Sequence, residues 1–116
     1  MTPAAPSARE RRPTAPDPLP IPVVDNHTHL DISRDGAEVG VGDLEPVRGA
    51  AAAVGVGRVV QVGCDVAGAR FAVAAAERYD SVLAGVALHP NEVPGLAASG
   101  GLSAAYAEIE RLAGHP

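Results

Sequence analysis

Lysine and tryptophan are absent from this sequence, and cysteine nearly so: every basic residue is arginine, and the one thiol is Cys64. A lone cysteine excludes an internal disulfide and points to a reducing compartment, most simply the cytoplasm. The lysine-free set of arginines reads as coding bias rather than chemistry. One phenylalanine and two tyrosines are the only large aromatics, so the core must be built from small aliphatic side chains. No apolar run approaches the roughly 20 residues of a membrane-crossing helix, which leaves no membrane partner to expect. Arg11-Arg12 is followed by PTAPDPLP rather than by an apolar stretch, and that excludes a twin-arginine export signal.

What is present is a globular composition, 47% apolar and 20% charged over 116 residues. That is one domain at most, long enough to bury a core. The net charge is −5, and residues 1–20, with three arginines against Glu10 and Asp17, are slightly positive, so the remainder is the more acidic part. Broad, sequence-independent wrapping of nucleic acid needs a positive face and is disfavoured. An enzyme of nucleic acid whose metal ions supply the positive charge locally is compatible with this balance. No obligate protein partner is evident.

Seven of the eleven prolines fall within residues 1–22, and residues 1–20 read as a disordered, Pro/Arg-rich tail. From Ile21 onward strand and helix signals alternate. IPVVDN (21–26) is a first strand. Asp43 can cap a helix running to about Val56, with Pro46 in its first turn and Val47, Ala50, Ala51 and Val54 on its apolar face. RVVQVGC (58–64) is a second strand, and Asp65 caps a helix to about Arg78 with Val66, Ala69, Val73 and Ala76 at helical spacing. SVLAGVAL (81–88) is a third strand. A Pro/Gly-rich loop comes next, and then a helix marked by Leu102, Ala105, Ile109 and Leu112 and stopped at Gly114. Strands without strict alternation are expected to be buried on both faces, so the pattern predicts an α/β fold with a parallel sheet and helical crossovers. A complete (β/α)₈ barrel takes about 250 residues. Residues 21–116 hold three βα units, and a three-stranded parallel sheet is uncommon as a complete domain. They therefore read as an N-terminal fragment or truncated product, with parallel strands expected in the order 1-2-3 if they are the first three units of such a barrel.

The chemistry concentrates in VVDNHTHLD (23–31). Asp25, His27 and His29 alternate along the chain and would share one face if the first strand runs through them. They sit at a strand's C-terminal end, where α/β folds place their sites. Two imidazoles at this spacing can ligate one divalent cation, and Asp25 could ligate or accept a ring N–H. A pair of polar loop histidines is the competing reading; the preceding strand and the flanking aspartates favour the metal. His89-Pro90 comes after the third strand on the same edge, where His89 could contact substrate or fill a turn. Cys64 reads as a small apolar residue, Asp65 as a helix cap and Glu92 as solvated.

VVDNHTHLD, VVQVGCD and GVALHPNEV together resemble the opening of the TatD family of metal-dependent hydrolases, amidohydrolase-like barrels that include deoxyribonucleases. The resemblance spans about residues 21–116. It implies that His27 and His29 are metal ligands and that His89 matches the histidine of the family's G-x-H-P segment. It further implies one or two divalent ions (Mg, Mn or Zn), DNA as substrate, and phosphodiester hydrolysis by metal-activated water. Asn91 stands where a further histidine is frequent. The family's bridging glutamate, in a G-E-x-G-L-D segment, is absent from these residues. This chain alone is expected to be inactive; an amidohydrolase-like enzyme cleaving an amide or lactone, or a non-catalytic truncated product, are the alternatives that remain.

Overall fold

A computed structural model describes residue 1, residues 13–33 and residues 35–116. Most of the expected tail, residues 2–12, lies outside the described residues. Residues 13–22 carry no helix or strand, although the Leu19 N–H donates to the Val54 carbonyl at 2.9 Å.

Strand β1 spans Val23–Thr28, two residues beyond the expected start and end. Pro22 explains the shift: it has no N–H to give, and pairing begins with the Val23 N–H donating to Gly55 O at 2.9 Å. The displacement matters for the site, because it carries the strand through His27 and leaves His29 as the first residue after it.

A 3₁₀ turn, Val41–Leu44, leads into α1, Glu45–Ala53. Asp43 is therefore not the helix cap expected of it; it lies inside the 3₁₀ turn and accepts from the Gly40 N–H at 2.8 Å. Three residues per turn, against 3.6 in an α-helix, shift which side chains face the core. Leu44, fully buried, becomes the anchor, whereas no residue of α1 is buried and Val47 stays 39% exposed. Gly55, at φ +98°, turns the chain into β2, Val56–Val62.

Helix α2, Val66–Arg78, is capped as expected: Asp65 Oδ1 accepts from the Gly68 N–H at 2.6 Å. Its buried stripe is Gly68, Ala69, Ala72 and Ala75, with only Ala69 shared with the expected one. Small residues let the helix approach the sheet. At Gly63 the approach is so close that a Cβ would stand 2.5 Å from the Ala69 nitrogen.

Strand β3 is short, Val82–Gly85. The segment read as a loop holds a helix, α3, Val93–Ser99. Pro94 is tolerated in a first turn, and Gly100 ends the helix with φ +78°. Helix α4, Leu102–Ala113, buries Ala105 and Leu112 and ends at Gly114.

The three strands pair in parallel in the order β1-β2-β3, the arrangement of the first units of a (β/α)₈ barrel. Val59 and Val82 turn toward Leu44, Ala75 and Tyr79 in the core. Leu83, next along β3, is 53% exposed. The expectation of strands buried on both faces thus fails for β1, which has no buried residue, and holds in β2 and β3 only for the helix-covered face.

Candidate metal centre

The C-terminal edge of the sheet collects His27, His29 and His89. His27 lies near the end of β1, where its pairing with β2 is irregular between Asp25 and Thr28. Asp25 folds back on its own strand, its Oδ1 accepting from the His27 N–H at 3.2 Å. The His27 and His29 rings have centroids 5.1 Å apart and planes inclined at 75°, close enough for one cation to be shared.

His29 is oriented from β2. Its Nδ1 lies 3.0 Å from the Val62 carbonyl oxygen. A carbonyl can only accept, so Nδ1 carries the hydrogen and Nε2 keeps its lone pair outward. Orientation of a ring by a backbone acceptor on its far nitrogen is the usual support for a metal-binding histidine. The donor chemistry here fits one corner of a divalent-cation site.

His89 is arranged the other way. Its backbone N–H donates to Cys64 O at 2.7 Å, which holds it against the end of β2. Its Nδ1 accepts from the Asn91 N–H at 3.1 Å. In the neutral ring the hydrogen is then on Nε2, which makes His89 a donor suited to an anionic oxygen.

Behind the pair, Gln61 of β2 is fully buried. Its Oε1 accepts from the Leu30 N–H at 2.7 Å, and Thr28 Oγ1, whose hydrogen goes to Val60 O at 2.9 Å, lies 3.4 Å from it. Its Nε2 donates to Asp31 Oδ1 at 2.8 Å. Sequence reasoning passed over Gln61; the available signal was one amide in an otherwise apolar strand.

The convergence is incomplete. Among the described residues, no group of three or more His, Cys, Asp or Glu is arranged to hold a metal ion. Asp65 is occupied as a cap, Cys64 is half-buried and Glu92 exposed. His115 is elsewhere, with Nε2 2.7 Å from Glu77 Oε1. A groove of about 570 Å³ lined by Val73, Glu77, Leu83, Leu112 and His115 runs along the open side of β3, away from the histidine pair. None of the described helices is long and apolar enough to cross a membrane.

The family model described as TatD related DNase matches residues 24–116. A Mycobacterium tuberculosis (strain ATCC 25618 / H37Rv) protein described as an uncharacterized metal-dependent hydrolase TatD is 43% identical over 97 residues. That match covers 81% of this chain and 33% of the relative, so the chain spans about a third of the relative's length. No solved structure matches the chain.

Proposed function

Because the chain belongs to the TatD family of metal-dependent hydrolases, we propose that it supplies the first metal-binding corner of a hydrolase that cleaves DNA phosphodiester bonds. His27 and His29 are the ligands in this reading. His27 and His29 would hold a divalent cation there, and the chemistry it would supply is a bound water acidic near neutral pH and a polarised phosphoryl oxygen. The observation that carries the reading is the His29 ring, whose Nδ1 is engaged by Val62 O so that Nε2 keeps its lone pair, with the His27 ring centroid 5.1 Å from its own.

The chain's own residues then divide the remaining work. Val62 O holds the ring and its tautomer. His89, with its hydrogen on Nε2, donates to a phosphate oxygen and helps to orient it. Asp25 shapes the bend that presents His27. Ligation occupies the lone pair that a general base needs, so neither His27 nor His29 serves as one. The family's description as DNases favours DNA over an amide or lactone substrate, and the one or two ions can be Mg²⁺, Mn²⁺ or Zn²⁺.

Two imidazoles are about half of the ligands that a firm site wants, and loose positioning lowers rate steeply. The 116-residue chain is therefore expected to cleave DNA poorly. The test is metal-dependent cleavage of DNA, an amide and a lactone by this chain and by a version extended to the relative's length. The extended protein should cleave DNA and lose that activity with His27→Ala and His29→Ala. Cleavage of the amide or lactone alone, or activity indifferent to both histidines, would overturn the reading.

A further inference from the structure

We propose that Gln61 is a positioning residue for the metal corner, a clasp that fixes where His29 stands; this rests on the metal-hydrolase reading above. A fully buried amide is costly unless all its hydrogen-bonding groups are used, and an aliphatic residue would fill this strand position without that cost. Gln61 directs its bonds to one segment. Oε1 takes the Leu30 N–H at 2.7 Å and Nε2 gives to Asp31 Oδ1 at 2.8 Å. Thr28, on the other side of His29, is tied to the same strand, its Oγ1 donating to Val60 O at 2.9 Å and lying 3.4 Å from Gln61 Oε1.

Residues 28, 30 and 31 are thus all tied to β2, and His29 lies between them. Gln61 fixes the backbone that carries His29, and Val62 O fixes the rotation of its ring. The two act on different freedoms, so loss of either one lets Nε2 wander.

The experiment titrates the 116-residue chain with Zn²⁺ and tracks the histidine ring signals by NMR, with backbone spectra as a check on folding. Four proteins are compared: wild type, His29→Ala, Gln61→Met, and Gln61→Glu combined with Asp31→Asn. Methionine keeps the length of the side chain and removes both hydrogen bonds. The double variant rebuilds the clasp with one donor direction reversed, and it leaves the net charge near the metal unchanged. Supporting partners of metal-binding histidines typically change affinity by about 10–100-fold, and Gln61→Met should weaken Zn²⁺ binding by that amount. The double variant should bind close to wild type.

Wild-type affinity in Gln61→Met, with binding lost in His29→Ala, would overturn the clasp while leaving the metal reading standing. Wild-type affinity in His29→Ala would overturn both. If Gln61→Met does not fold, the double variant decides: wild-type affinity supports the clasp, and a folded double variant that binds weakly overturns it.

Discussion

His29 Nδ1 and the Val62 carbonyl oxygen stand 3.0 Å apart, joining the residue just after β1 to the last residue of β2. This contact selects one tautomer, and the Asn91 N–H selects the opposite one at His89. Long-range ¹H–¹⁵N spectra of the neutral rings should show the hydrogen on Nδ1 in His29 and on Nε2 in His89. The same tautomer at both residues would remove the division between ligand and donor.

Strands β1 and β3 are both edges of the sheet, and Leu83 is exposed on the second of them. An unpaired edge with an apolar face is a template for another chain. Sedimentation velocity should show concentration-dependent association. Leu83→Lys should weaken it on the order of tenfold, the affinity equivalent of losing one buried aliphatic side chain. A monomer at every concentration, with a cooperative melt, would contradict this.

Two glycine replacements should move stability in opposite directions. At Gly63 a Cβ would meet the Ala69 backbone nitrogen at 2.5 Å, so Gly63→Ala should cost about 1–3 kcal/mol through overpacking. At Gly49, inside α1, a Cβ meets nothing within 4 Å. Gly49→Ala should gain roughly 0.5–1 kcal/mol from helix propensity and reduced chain entropy. Urea denaturation of both variants measures the difference.

Glu108 ties α4 to α2. Hydrogen bonds from Arg111 first and Arg70 second hold its carboxyl at about pKa 2 instead of 4.5. A depressed folded-state pKa contributes stability that is fully present above the unfolded value, near 4.5, and is lost as pH falls toward 2. Glu108→Gln should therefore lower Tm at pH 7 and converge with wild type as the pH approaches 2. A Tm difference independent of pH would show that the ion pairs are not its source.

The strands and the histidine pair were legible because each is written in side-chain identity, in β-branched runs at Val23-Val24 and Val59-Val60 and in alternation at His27 and His29. The strand order followed from the barrel reading, in which strands adjacent in sequence are neighbours. What stayed hidden depends on the backbone. Pro22 delays β1 through a missing N–H. The 3₁₀ turn at Val41–Leu44 shifts the buried position to Leu44, and Val93-Pro94-Gly95 looks like a loop although proline is compatible with a first turn. The partner that orients His29 is a carbonyl, which every residue has. Gln61 was visible as an odd polar residue, but nothing in its identity says that it reaches Leu30 and Asp31.

The most direct test is paramagnetic broadening of the four histidine ring signals by substoichiometric Mn²⁺. His27 and His29 should broaden first and together, and His89 less. His115 pairs with Glu77, twelve residues along α2 from its Asp65 cap. At a helical rise of about 1.5 Å per residue that is roughly 18 Å from the site end, so its signal should persist. Uniform broadening of all four rings, or loss of His115 before His27 and His29, would contradict a metal held by this pair.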